Sequence, residues 1–236
     1  PENYIEVQVW NDGPIVQYRY ESLLERGVES VHSVADRIIR ANPLRFPNAE
    51  KQSGLVNGLD ECKKHPLWGW FLSTLRKTDN SLFKDDVVHG VEHAKKSAIL
   101  AFMLSCKAEA CERQTKNTVY AALYHDIGRT CCAYGKSHGQ CGAERLRTLF
   151  LPFKDWDMDI VCRAIALHDG PQGAGDGVVL EAVREADCLD YMRLGFGIYD
   201  ASRLATAEGR DMLRFALELN IAAYMFPSFI RYFSEE

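Results

Sequence analysis

The spacing of apolar residues after position 85 most constrains what this chain can fold into. Six successive stretches (86–106, 115–127, 139–149, 157–168, 178–193 and 209–226) repeat them every three or four residues, the pattern of helices with one buried side. In the first stretch, Val87, Val91, Ala94, Ala98, Phe102 and Ser105 form the stripe. Strand alternation is nearly absent; residues 4–10 alternate weakly and read as a short strand or an extended arm. Residues 15–40 again look helical, with Val31, Val34, Ile38 and Ile39 on one side. Asn42-Pro43 stops that helix, because proline disfavours the helical region for the residue before it. Residues 47–65, rich in Asn, Gly and Lys, read as a long loop, and a short helix carrying Trp68, Phe71, Leu72 and Leu75 follows Pro66. The expected architecture is an all-α bundle formed by residues 81–236, with residues 1–80 as an additional, mainly helical N-terminal segment packed on it or preceding it.

Several polar residues interrupt these stripes. One face of the helix expected at 178–193 reads Leu180, Val183, Asp187, Asp190/Tyr191, Leu194, with Glu181, Arg184 and Glu185 expected on the solvent side. A carboxylate within an apolar stripe is costly to bury unless a cation or several hydrogen bonds compensate it, so Asp187 is a helix cap, half of a buried salt bridge, or a metal ligand. His168 continues the stripe Val161, Ala164/Ile165; taken singly it reads as a satisfied core histidine or a ligand. His125-Asp126 ends an apolar helix just before Gly128, expected to be a left-handed cap. Helical neighbours point about 100° apart, so the two side chains can converge on an ion beside the helix end. His89 and His93 are four apart and share a face if that segment is helical, with Lys96 one turn further on. The zinc-protease H-E-x-x-H pattern is excluded, since Glu92 directly precedes His93.

Order along the chain joins these residues into one hypothesis. His93, His125-Asp126, His138, His168 and Asp187 each lie on or beside a different helix, and five of the seven histidines fall between residues 89 and 168. A donor set of imidazoles and carboxylates without thiolate suits iron, manganese or zinc. The eight cysteines include no C-x-x-C pair and read as reduced and mostly buried; a zinc cluster from Cys131, Cys132 and Cys141 has no support from spacing. The apolar run 98–104 is too short to cross a bilayer, and no basic, apolar leader opens the sequence, so the expectation is a cytoplasmic protein. A formal net charge of −5 gives no basic footprint for nucleic acid.

The stretches HGVEHAKKSAIL (89–100), ALYHDIGR (122–129), SHGQCGAERL (137–146), AIALHDG (164–170) and EADCLDYMRLG (185–195) together resemble the HD superfamily, over roughly residues 85–200. The resemblance implies that His93, His125, Asp126 and Asp187 bind metal. It further implies that His138 and His168 complete a second site in two-metal members, with Asp126 between the ions. Asp169 stands where some two-metal members carry a second adjacent histidine, and Lys96 where many have arginine. No GYP signature is present, so cyclic di-GMP hydrolysis is not supported.

The activity so implied is a metal-dependent phosphohydrolase acting on a nucleotide or another small phosphate ester, with one or two divalent ions (Fe, Mn or Zn). Arg129 is then the first candidate for a phosphate contact, Lys96 and Lys136 weaker ones. His89 reads either as a proton donor or orienting group, or as a hydrogen-bonding cap on the site. The alternatives are a di-iron oxygenase of the myo-inositol oxygenase type, which shares the donor set, and a nucleotide-binding regulatory module. Tyr191, Phe196, Tyr199, Tyr224 and Phe226 read as core packing before pocket lining.

Overall fold

The computed structural model describes residues 27–86, 88–131, 136–149, 155–171, 177–195, 201–225 and 230. The weak alternation at 4–10, and Val87, Cys132, Phe196, Tyr199 and Phe226, lie outside them. Ten α-helices and several single 3₁₀ turns make up the described chain, and no strand occurs among the described residues. The fold is therefore an all-α bundle, and no helix among these residues is long and apolar enough to cross a membrane.

The centre is α4 (Val91–Lys107), whose residues from His93 to Ser105 are all buried. Against it pack α5 (Glu112–Tyr124) and α8 (Val178–Asp190), with α7 (Met158–Leu167) on the far side of α5 and α6 (His138–Thr148) lying along α7. A helix enclosed on every side need not keep a polar face, which explains how α4 buries Lys95 and Lys96 beside Ala98 and Phe102. The same holds for α8. Arg184 and Glu185, expected toward solvent, are 7% and 2% exposed. Hydrogen bonds compensate them: Arg184 donates to the carbonyls of Leu167 and Pro171, and Glu185 accepts from the amide and hydroxyl of Thr206.

The N-terminal layer consists of α1 (Gly27–Ala41), α2 (Leu55–Lys63) and α3 (Trp68–Arg76). As expected, α1 stops before Asn42-Pro43, and the Asn42 side-chain amide donates back to the Ile38 carbonyl. The stretch expected as a long loop contains α2 instead. Its glycine is a packing residue: a Cβ on Gly58 would lie 2.5 Å from Met103 of α4 and 2.5 Å from Phe215 of α10 (Leu213–Met225). Phe71 of α3 stacks on Phe102 of α4 with ring centroids 4.4 Å apart. A buried charge cluster ties α1 and α2 to α10: Glu218 accepts from Arg214 and from the Leu55 amide, and Arg214 also reaches Asp36. The remaining short helix, α9 (Ala207–Arg210), begins at the Thr206 cap.

Candidate metal centre

Local structure places the polar residues at helix ends. The chain enters α4 through Gly90, in extended conformation, after a turn in which Asp86 Oδ1 accepts from the amides of Val88 and His89. Helix α4 thus starts at Val91, so His89 precedes the helix rather than sharing a face with His93 as expected. α5 stops at Tyr124, His125 is its C-cap, and a 3₁₀ turn follows at Ile127–Thr130. Gly128 is not left-handed, unlike Gly177 and Gly195. Close approach explains it instead: a Cβ there would stand 1.9 Å from the His138 carbonyl oxygen and 2.4 Å from the Gly142 amide nitrogen. Glycine lets α6 lie directly on this turn, with Gly139 and Gly142 opening the facing surface toward Ile165 of α7. His138 is the first residue of α6, behind the Ser137 N-cap, and His168 is the C-cap of α7.

Four imidazoles meet in two facing pairs. Nε2 of His93 is 3.0 Å from Nε2 of His125, and Nε2 of His138 is 3.1 Å from Nε2 of His168. The opposite ring nitrogens are already engaged. His125 and His168 donate from Nδ1 to the carbonyls of Ala122 and Ile165, both at 2.7 Å. His93 Nδ1 is 2.7 Å from Asp190 Oδ2, and His138 Nδ1 is 3.1 Å from Asp169 Oδ2. With Nδ1 protonated, each neutral ring presents a lone pair at Nε2. Two lone pairs 3 Å apart repel unless a proton or a metal cation lies between them.

Asp126 faces both pairs. Its Oδ2 is 3.6 Å from His93 Nε2 and 3.7 Å from His125 Nε2, while Oδ1 is 3.2 Å from His138 Nε2 and 3.8 Å from His168 Nε2. Asp187 Oδ1 joins the first pair, at 3.4 Å from His93 and 3.7 Å from His125. Two groups are therefore spaced to hold a metal ion, His93–His125–Asp187 and His125–Asp126–His168. Asp126 Oδ1, though buried, has no aligned hydrogen-bond donor. Donor chemistry, spacing and this orphaned oxygen all fit a cation.

The electrostatics agree. Burial resists charging of His125, yet the carboxylates of Asp126 and Asp187 outweigh it and raise its pKa to about 9. Against the opposing effect of burial, the neighbouring histidines hold Asp126 and Asp187 well below the usual carboxylate range. Burial, aided by the charge on His125, pushes His168 down to about 4. Burial also lowers His93 despite Asp190. The two carboxylates thus favour a positive charge beside them, at His125, while burial keeps charge off His93 and His168.

The six donor candidates come together; the cationic candidates divide. Arg129 reaches the cluster, with Nε 2.7 Å from Asp126 Oδ1 and an Nη 3.1 Å from His138 Nε2. Lys96 departs from its expected place at a phosphate: it is buried behind His93, its ammonium 3.0 Å from Asp190 Oδ1 and 2.7 Å from Asn220 Oδ1. Lys136 is exposed and bonded to both oxygens of Glu144. His89 lies beside His93 with ring centroids 6.4 Å apart, its pKa lowered by burial and by the Arg129 charge. Tyr224, expected in the core, is 56% exposed. Of the three cysteines weighed as a cluster, Cys131 is exposed and Cys141 buried. Two orienting carboxylates were not singled out from sequence. Asp190, completely buried, holds His93 and is itself faced by Lys96 and Arg193; Asp169 holds His138. For Asp190 the signal was present, three residues beyond Asp187 on the same apolar face.

The comparisons with known proteins give one family match. The family model of the HD domain matches residues 90–192, a span containing all six donor candidates and Asp190. Among solved structures, a predicted HD superfamily hydrolase from an uncultured Thermotogales bacterium is similar with a TM-score of 0.43 and 21% identity, over 72% of this chain and 93% of that one. No curated protein matches the chain. The HD-domain model thus matches the stretch in which an H-D dipeptide at a helix end meets a histidine and an aspartate from two other helices.

Proposed function

We propose that this protein is a metal-dependent phosphohydrolase acting on a small phosphate ester, such as a nucleotide, and that it uses two divalent ions. One observation carries the reading: the single carboxylate of Asp126 turns one oxygen to each of two imidazole pairs. His93, His125, Asp187 and Asp126 Oδ2 would hold one ion; His138, His168 and Asp126 Oδ1 would hold the other. Bound divalent cations supply Lewis acidity toward phosphoryl oxygens and lower the pKa of water. The chain's own residues do the rest. The carbonyls of Ala122 and Ile165 and the carboxylates of Asp190 and Asp169 fix the imidazole tautomers, a role such partners commonly fill around metal ligands. Arg129, partly exposed beside the second set, offers a guanidinium to an anionic substrate. His89, whose pKa is lowered by burial and by the Arg129 charge, lies beside His93 with ring centroids 6.4 Å apart and takes no place among the donors.

The donor set is shared with di-iron oxygenases; Arg129 at the centre favours a phosphorylated substrate over an uncharged one. Cys62, Cys106, Cys111, Cys131 and Cys162 carry free thiols, which suits a reducing compartment such as the cytoplasm. The test is Asp126→Ala, measured by metal analysis, circular dichroism and a panel of nucleotides, phosphomonoesters and phosphodiesters. Turnover and bound metal should be lost while helicity is unchanged. Retained hydrolysis with normal metal content overturns the proposal.

A further inference from the structure

The two ligand sets differ in what already faces them. Around the first stand two carboxylates, Asp126 and Asp187, with His93 and His125 only 1% exposed. Its nearby cations, Lys96 and Arg193, sit on Asp190, behind the ring of His93. Among the described residues, the second set's Nε2 atoms meet no carboxylate beyond the shared Asp126, Asp169 standing behind the ring of His138 at Nδ1, and the side chain of His138 is 19% exposed. It also has a cation in contact. One Arg129 Nη lies 3.1 Å from His138 Nε2, and its Nε lies 2.7 Å from Asp126 Oδ1. These are two of the three atoms that would hold the second ion.

The quality of the contact matters as much as its place. Nε and Oδ1 are close, but the N–H does not aim at the oxygen, and both atoms are left without a hydrogen bond. The guanidinium therefore neutralises this edge of the cluster by charge, without the aligned, bidentate geometry of a permanent arginine–carboxylate pair. The Arg129 side chain is 28% exposed and rises from a 3₁₀ turn, so solvent is open to it.

We propose that Arg129 is a resident cation of the second site and makes the two sites fill in order. Building on the two-ion reading above, the first set loads while Arg129 stays in place. A second ion can be held only after Arg129 has left His138 Nε2 and Asp126 Oδ1, because like charges cannot share those atoms. Once displaced, the guanidinium faces solvent beside the centre, where an anionic substrate can take it. Second-ion binding and substrate binding are then coupled through one side chain: a phosphate that engages Arg129 removes the competitor from the second site.

The test is calorimetric titration of the chelator-treated full-length protein with Mn²⁺, with electron paramagnetic resonance to detect spin-coupled pairs. The wild type should bind in two steps, the second at least tenfold weaker than the first. Arg129→Gln should strengthen the second step by tenfold or more and leave the first unchanged. Inorganic phosphate should strengthen the second step in the wild type but not in Arg129→Gln. In the double variant Arg129→Gln/His138→Ala, the strengthened step should disappear. Identical titrations for wild type and Arg129→Gln overturn the role of Arg129 and leave the two-ion centre standing. A strengthened step that survives His138→Ala also overturns it, since the ion then lies elsewhere. If neither protein binds Mn²⁺, the metal-centre reading itself fails, and this proposal with it.

Discussion

The carboxylate of Asp190 would act in the proposed metal centre without touching an ion. It is buried between His93, Lys96 and Arg193, and its hydrogen bond fixes which nitrogen of His93 is free. Partners of this kind are typically worth about 10–100-fold in metal affinity. Asp190→Asn should weaken the tighter Mn²⁺ step by about that factor and leave the weaker step in place, as a titration of both steps would show; an unchanged first step would remove Asp190 from the site. Among the donor candidates, Asp187 and His168 were legible because each breaks a local rule, a polar residue within an apolar stripe needing a reason, whereas His93 and His138 stood out through their order along the chain and the family resemblance. Asp190 lay on the same stripe, but hydrogen bonding to an imidazole from a helix 97 residues away in sequence cannot be read from spacing. Lys96 failed for the converse reason. A lysine beside a ligand histidine suggests phosphate, whereas its partners, Asp190 and Asn220, come from α8 and α10.

At the scale of helices, the positions of α4 to α8 followed from apolar periodicity, with ends shifted by a few residues. Glycines were harder to interpret. Gly58 suggested a loop and Gly128 a left-handed cap, yet both serve close packing, a property of the partner helix as much as of the residue. Gly128→Ala separates these readings. Replacing glycine with alanine in a helical conformation gains about 0.5–1 kcal/mol, whereas overpacking against backbone costs about 1–3 kcal/mol. The contacts at Gly128 are backbone atoms of α6, which cannot rotate aside, so the cost wins. Urea denaturation should show a loss of stability, and the Mn²⁺ titration should lose its second step, since α6 carries His138, while the first step persists. A stabilised variant with both steps would refute the close-approach account.

Across the whole molecule, a single apolar core runs from Val31 of α1 to Ile230, and the N-terminal layer shares it. Charge outside the metal centre gives this assembly a defined response to acid. Hydrogen bonds from Ser81 lower the pKa of Asp79; Lys84 and the His89 amide bring Asp86 to about 2. Asp155 is lowered by Lys116 against burial, and Asp157 by the Ile160 amide and Arg113. A carboxylate depressed in the folded state binds its proton more weakly than in the unfolded chain. It therefore stabilises fully above its unfolded pKa and progressively less as pH falls through the folded value. The melting temperature should be level above about pH 4 with respect to these groups and fall toward pH 2. Asp86→Asn should lower it at neutral pH, and the two melting curves should converge as pH approaches 2; a constant gap would show that the carboxylate charge is not what Asp86 contributes. The donors of the metal centre also belong to this scale. They come from the start of α4, the ends of α5 and α7, the start of α6 and the last turn of α8, so no single helix contains the set. An ion that recognises all of them binds the assembled molecule and not the unfolded one, and its binding free energy adds to that of folding. In the proposed metal centre, ion loading and the cohesion of the five helices would be a single equilibrium, so that a cell short of the metal would hold less of the folded protein.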